Sequence, residues 1–148
     1  VPFVRLQNVI SQLAGMDMGE LISLTGQGIY RRLEKQALEQ TISDYHHVVV
    51  ETGGSLISET ETYRLLREHF YTVWVRAQPA DHMNRVIKQG DMRPMAGNQQ
   101  AMDDLKLILD EREADYRLAN YQLMTSGQSE QESLDQLIKQ CAPYLQAV

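Results

Sequence analysis

Short apolar runs alternate with longer segments of helical periodicity along the chain. The clearest strand pattern is His47–Glu51, a β-branched run that stops at the Thr52–Ser55 turn with its two glycines. The clearest helical pattern is Ile29–Ser43, where apolar residues recur at helical spacing among strong helix formers. The predicted strands are Pro2–Leu6, His47–Glu51, Tyr71–Val75 and Tyr121–Thr125. The predicted helices are a stretch around Val9–Leu13 that ends at Gly15, then Met18–Leu24, Ile29–Ser43, Thr60–His69, Pro79–Lys88, Ala101–Leu118 and Ser129–Ala142, with Gln89–Gln99 as a loop.

The alternation of strands with helices predicts the fold class. It indicates an α/β domain with a mostly parallel sheet and helices on both faces. In such folds the ligand binds beyond the carboxyl ends of the strands. No internal repeat or interdomain linker is visible, so the 148 residues are expected to form one domain.

Charge and composition narrow the classes of function. The formal net charge is -6 and the pI about 5.1, whereas DNA binding needs clustered Lys and Arg, so this chain alone is a poor candidate for binding DNA. The single cysteine, Cys141, excludes an internal disulfide and fits a reducing cytoplasm. No apolar run approaches the ~20 residues of a membrane span, and no signal peptide is visible at the first residues. A cytoplasmic location without membrane contact is therefore expected.

Two features of the sequence could bind an anion. Gly53 and Gly54 would let a ligand approach the backbone after the His47–Glu51 strand, although a tight strand-to-helix turn explains them equally well. Arg31 and Glu34 lie three residues apart on one helix face. The carboxylate could hold the guanidinium for a bidentate contact with an acid, or the two could form a solvated ion pair.

Two further arginines are candidates on weaker signals. Arg93 lies in the predicted loop, from which it could close over an anionic ligand or simply face solvent. Arg112 lies in a charged run that is typical of a solvated helix face. His46 and His47 have no matching cluster of cysteines or carboxylates, so neither a metal nor a cofactor is predicted.

Taken in order, these motifs resemble shikimate kinase. Gly15–Glu34 resembles that family's substrate-binding helical region, Thr52–Gly54 its glycine-rich turn, Arg93–Pro94 its lid, and Leu109–Arg112 the helix with its last substrate-binding arginine. The resemblance implies a P-loop-kinase-like parallel sheet. Position by position it also implies these roles: Arg31 and Arg112 hold the substrate carboxylate, Glu34 positions Arg31, Gly53 and Gly54 lie at the substrate ring, and Arg93 approaches the transferred phosphate.

The sequence departs from the family pattern at several positions. The 148 residues contain no GxxxxGKS/T phosphate loop, and Ser55 replaces the third glycine of the turn. Where the family has two aspartates, one near magnesium and one on the substrate hydroxyls, this chain has Arg5 and Gln7. Arginine cannot ligate magnesium and glutamine cannot act as a base. These departures suggest a domain that keeps anion-binding residues, Arg5 and Gln7 among them, and has no catalytic residue.

The expected function follows from those departures. The pattern resembles the effector domain of helix-turn-helix regulators of benzoate catabolism, which implies an aromatic acyl-CoA ligand such as benzoyl-CoA. DNA would then be bound only through an N-terminal domain that is absent from residues 1–148, and a homodimer is a further expectation. The alternative is an N-terminally truncated shikimate kinase or related small-molecule kinase, and a vestigial dimerisation module is a third reading.

The resemblance also raises a structural question. In the family the phosphate-loop strand is central in the sheet, between the equivalents of His47–Glu51 and Tyr71–Val75. Without it the facing edges of those strands lack hydrogen-bond partners, at a cost for each buried polar group. We expect another segment or partner to fill the gap, or the two strands to close up.

Overall fold

The structure, a computed structural model, describes residues 1–88 and 98–145. The strands are β1 (Phe3–Arg5), β2 (Val49–Glu51), β3 (Val73–Arg76) and β4 (Tyr121–Met124). The helices are α1 (Leu6–Ala14), α2 (Met18–Thr25), α3 (Gln27–Asp44), α4 (Thr60–His69), α5 (Pro79–Lys88), α6 (Asn98–Tyr116) and α7 (Glu130–Leu145), with a 3-10 turn at Gly54–Ser58. Across the described residues, none of the helices combines the length and the apolar character that spanning a membrane requires.

For the residues that the structure describes, the sequence predicted each strand and each α-helix, and the differences lie at their ends. The predicted first strand runs one residue too far, because Leu6 begins α1 and is buried there. Helix α7 continues past Ala142 to Leu145, with Pro143 inside its last turn. Proline there removes one backbone donor. The capping box is present, since the Glu132 amide donates to Ser129 Oγ at 3.1 Å and the Ser129 amide to Glu132 Oε1 at 3.3 Å.

The four strands form two parallel pairs. Strand β1 pairs with β2, with Phe3 opposite Val49, and β3 pairs with β4, with Val73 opposite Tyr121. The predicted parallel pairing is therefore confirmed. Within residues 1–88 and 98–145, β2 belongs to the first pair and β3 to the second.

The chain divides into two compact units. Unit 1 comprises Val1–Phe70 with the last residues of α7 from Pro143, and unit 2 comprises Tyr71–Ala142. In unit 1, α3 packs against α1, α2 and α4.

Helix α3 buries Ala37 and Leu38, as its apolar spacing predicted, but not Ile29. Ile29 remains 37% exposed, whereas the buried face carries a polar group in its centre. Its buried residues are Tyr30, Glu34, Ala37, Leu38 and Thr41. The Thr41 hydroxyl is satisfied by the carbonyl of Ala37 at 2.9 Å. The hydrophobic pattern did not predict the burial of Glu34, because a carboxylate is almost always exposed unless it is paired.

Unit 2 is held by hydrogen bonds at both ends of its strand pair. Asn120 Oδ1 accepts from the Thr72 amide at 2.9 Å and from its hydroxyl at 3.0 Å. At the other end, the amide of Thr125 donates to the Arg76 carbonyl at 2.8 Å, and so does its hydroxyl at 2.9 Å. These contacts fix the register of β3 against β4.

We predict that Leu38→Ala lowers the free energy of unfolding by about 2–5 kcal/mol, because truncating a buried leucine removes apolar burial and leaves a cavity. Leu38 is 0% exposed. The matched control is Leu24→Ala on α2, where the side chain is 73% exposed and the cost should stay within about 0.5 kcal/mol. Urea denaturation followed by far-ultraviolet circular dichroism measures both, and equal costs would contradict the packing described here.

Candidate functional site

The carboxyl ends of β1 and β2 present a charged pair. Arg5 lies opposite Glu51 in the strand register, and its Nε is 3.4 Å from Glu51 Oε2. Both side chains are about half exposed, at 55% and 52%. Helix α1 begins at the next residue, so Arg5 is also its N-cap and the exposed Gln7 lies in its first turn. Arg5 and Gln7 are thus at the edge of the sheet where ligands bind in parallel α/β folds.

A guanidinium at this edge changes the chemistry of the position. Arg5 stands where the resemblance places an aspartate near magnesium, and a guanidinium cannot ligate a divalent cation. This position therefore does not fit a metal ligand. Among the residues that the structure describes, no three or more His, Cys, Asp and Glu side chains are grouped so as to hold a metal ion.

Arg31 and Glu34, one turn apart on α3, form the second charged group. Arg31 Nη1 donates to Glu34 Oε1 at 3.0 Å, and the Tyr30 hydroxyl donates to Glu34 Oε2 at 3.4 Å. The side chain of Glu34 is 1% exposed and that of Arg31 is 20% exposed. Both carboxylate oxygens therefore have donors, and the guanidinium extends from a buried anchor towards solvent.

Burial dominates the electrostatics of this group. The pKa of Glu34 is raised above its ordinary value of 4.5, because loss of solvent around the carboxylate outweighs the stabilising contacts from Arg31 and Tyr30. Burial likewise raises the pKa of Tyr30, and the neighbouring Glu34 carboxylate raises it further. The phenol therefore stays protonated as a donor at neutral pH.

A further carboxylate contacts Arg31 from outside α3. Glu59 Oε1 is 3.7 Å from Arg31 Nε, and the Glu59 side chain is 45% exposed. Sequence reasoning did not identify Glu59, because no local spacing relates it to Arg31 and only the packing of the folded chain brings them together. It also missed Glu51 and Tyr30, although Tyr30 lies four residues before Glu34 and helical spacing could have paired them.

The glycine turn follows β2 directly. Gly53 has φ -67° and ψ 148°, an extended conformation that any residue adopts, and Gly54 begins the 3-10 turn. A Cβ added at Gly53 would meet nothing within 4 Å. Neither backbone conformation nor the described packing therefore requires glycine at position 53, and the space beside it is open.

The structure places the sequence candidates in different parts of the chain. Unit 1 contains six of them: Arg5, Gln7, Arg31, Glu34, Gly53 and Gly54. Arg112 lies half-buried on α6 in unit 2. Arg93 lies outside the described residues. The structure confirms the predicted contact between Arg31 and Glu34.

Comparison with known proteins identifies the family. The sequence model of the family described as shikimate kinase matches residues 1–142. Shikimate kinase from Caldanaerobacter subterraneus subsp. tengcongensis is 26% identical over 137 residues, which cover 93% of this chain and 79% of that protein. The fold is similar to the crystal structure of shikimate kinase from Bacteroides thetaiotaomicron, with TM-score 0.79, 22% identity, and coverage of 98% of this chain and 83% of that one. Shikimate kinase from Acinetobacter baumannii, in complex with shikimate, gives TM-score 0.75 with 21% identity over 98% of this chain and 81% of that one.

These findings overturn the function expected from the departures. The relatives are shikimate kinases over nearly the whole chain, so the interpretation as a benzoyl-CoA-binding effector domain of a DNA-binding transcriptional regulator is wrong. That interpretation gave two substitutions, Arg5 and Gln7, more weight than the agreement of the remaining chain. The alternative is favoured instead, and the fold is the expected P-loop-kinase-like α/β fold. The chain belongs to the shikimate kinase family.

Proposed function

We propose that this chain binds a small carboxylate-bearing acceptor in unit 1 and is the acceptor-binding part of a phosphotransferase, with shikimate as the first candidate acceptor. The family membership supports the reaction class, and a relative of similar fold is in complex with shikimate. The observation that carries the proposal is the Arg31 guanidinium anchored by the buried carboxylate of Glu34.

The anchored guanidinium suits recognition of a carboxylate. Arginine has five N–H donors in a planar fork, more than its contacts with Glu34 and Glu59 use. Glu34 restricts the rotamers of Arg31, so less conformational entropy is lost when a ligand binds. A bidentate contact with a ligand carboxylate is then both strong and directional.

Several other residues are proposed as ligand contacts. The open space at Gly53 would let the acceptor ring approach the backbone, and Gly54 continues the same turn. Arg5 and Gln7 would contact the ligand at the carboxyl ends of the β1–β2 pair. For Arg112 and Arg93, the resemblance of the sequence alone suggests roles with the ligand carboxylate and the transferred phosphate respectively.

Phosphoryl transfer depends mainly on positioning and on stabilising charge, and the acceptor hydroxyl must also lose a proton. The Gln7 amide cannot accept that proton. Glu51 presents a half-exposed carboxylate at the carboxyl end of β2, so we propose it as the proton acceptor, held in orientation by Arg5.

We predict a characteristic pH dependence for Glu34→Gln. Because the folded pKa of Glu34 lies above its ordinary value of 4.5, the native state holds this proton more tightly than the unfolded state. The stability it contributes is complete below pH 4.5 and is lost as pH rises through the folded pKa. The free energy of unfolding of the wild type minus that of Glu34→Gln should therefore fall with rising pH across this window, as measured by urea denaturation.

The exposed Glu61 provides the control for that measurement. Its hydrogen bond with Lys35 lowers its pKa, so its contribution is present above pH 4.5 and is lost on acidification. Glu61→Gln should therefore give a difference of the opposite slope. If Glu34→Gln and Glu61→Gln gave the same slope, Arg31 would outweigh burial at Glu34.

We predict that Arg31→Ala weakens shikimate binding roughly tenfold or more, because a charge-assisted contact is worth about 1.5–3 kcal/mol. Arg112→Ala should weaken binding by a similar factor, and neither change should unfold the domain. The matched control is Arg32→Ala, the exposed neighbour on α3, which should bind as the wild type does. Isothermal titration calorimetry measures the affinities, and unchanged affinity in both variants would remove these arginines from the site.

We predict that the natural protein transfers phosphate from ATP to shikimate. Glu51→Gln should lower the rate of transfer while leaving shikimate affinity close to that of the wild type, because it removes the proposed proton acceptor. Coupled detection of ADP gives the rate, and calorimetry gives the affinity. Shikimate binding without transfer would contradict the phosphotransferase part of the proposal.

A further inference from the structure

Glu59 combines a hydrogen-bonded backbone with a nearly half-exposed side chain. Its amide donates to the Leu56 carbonyl at 3.0 Å, and its carbonyl accepts from the Tyr63 amide at 2.9 Å. Glu59 is the N-cap of α4, yet its side chain makes no capping hydrogen bond. The carboxylate reaches Arg31 instead, from a position that the 3-10 turn and α4 together determine.

The two carboxylates around Arg31 differ in how firmly they hold it. Glu34 is buried and accepts a hydrogen bond at 3.0 Å, which is enough to orient the guanidinium. Glu59 is nearly half exposed, and its 3.7 Å approach to Nε is longer than a hydrogen bond. The Glu59 contact is therefore mainly electrostatic and adds little to the positioning of Arg31.

The net charge of Arg31, Glu34 and Glu59 disfavours binding of an anionic ligand. When both carboxylates are ionised, Arg31, Glu34 and Glu59 sum to one negative charge. A ligand carboxylate that approaches Arg31 is repelled by Glu59 and competes with it for the guanidinium. Glu34 cannot be displaced in the same way, because its side chain is buried and accepts hydrogen bonds from Arg31 and Tyr30.

We propose that Glu59 is a displaceable carboxylate that occupies Arg31 in the absence of substrate and competes with the substrate carboxylate for it. Glu59 thereby lowers the affinity for carboxylate ligands and speeds release of a carboxylate-bearing product. This inference rests on the proposed function of Arg31, and it makes Glu59 a residue that sets affinity.

The test compares Glu59→Gln with Glu61→Gln by calorimetric titration of shikimate. Glutamine keeps the size of the side chain and removes the charge, so Glu59→Gln should bind shikimate roughly two- to fivefold more tightly, the range expected from an exposed charge pair. Glu61→Gln removes the same charge two residues further along, where the partner is Lys35, and should not change the affinity. In the Arg31→Ala background, Glu59→Gln should give no gain.

Weaker binding by Glu59→Gln would overturn the inference and make Glu59 a second clamp on Arg31. Unchanged affinity, or an equal gain in Glu61→Gln, would also overturn it. Thermal unfolding by circular dichroism shows whether each variant remains folded.

A measurement without substrate separates this inference from the proposed function. The rate at which phenylglyoxal modifies Arg31, followed by mass spectrometry of the peptides, should rise in Glu59→Gln and stay unchanged in Glu61→Gln. If shikimate fails to bind but Arg31 becomes more reactive, the proposed function fails and the Glu59 contact stands. If shikimate binds through Arg31 but Glu59→Gln alters neither reactivity nor affinity, only this inference fails.

Discussion

The buried carboxylate of Glu34 is the constraint on which unit 1 depends. An ionised group without solvent is costly unless it is paired and hydrogen-bonded, and here Arg31 and Tyr30 supply one donor to each oxygen. The same helix must therefore serve two purposes. Ala37 and Leu38 are fully buried in the core, and α3 packs against α1, α2 and α4. Glu34 on the same helix holds the guanidinium of Arg31. Packing and recognition therefore share one helix.

This sharing explains why the family could be recognised from few residues. A carboxylate three residues after an arginine is a local pattern that can be recognised directly in the sequence. The residues at the carboxyl ends of the strands are less constrained, because Arg5 and Glu51 form an exposed pair with solvent beside it. Substitutions there can alter the chemistry of the edge without disturbing the fold. Those positions were therefore a poor guide to the function, and agreement over the remaining chain was a better one.

Much of the fold could be predicted because its signals are local. Pro79–Lys88 matches α5 at both ends, and the Ser129 capping box marks the start of α7. The burial of Glu34 and the approach of Glu59 to Arg31 could not be predicted, because both depend on the tertiary packing of α3 and not on local spacing. The end of β1 was misplaced since Leu6 is apolar and suits a strand or a buried helix equally well.

The parallel pairing of β1 with β2 has a consequence for synthesis. Parallel neighbours need a long crossover, and here α1, α2 and α3 all lie between the two strands. On the ribosome, Phe3 emerges long before its partner Val49 exists. The nascent chain must therefore carry β1 as an unpaired, aggregation-prone edge while the three helices form from local contacts. The brevity of β1, three residues that lead straight into α1, limits that exposure during translation.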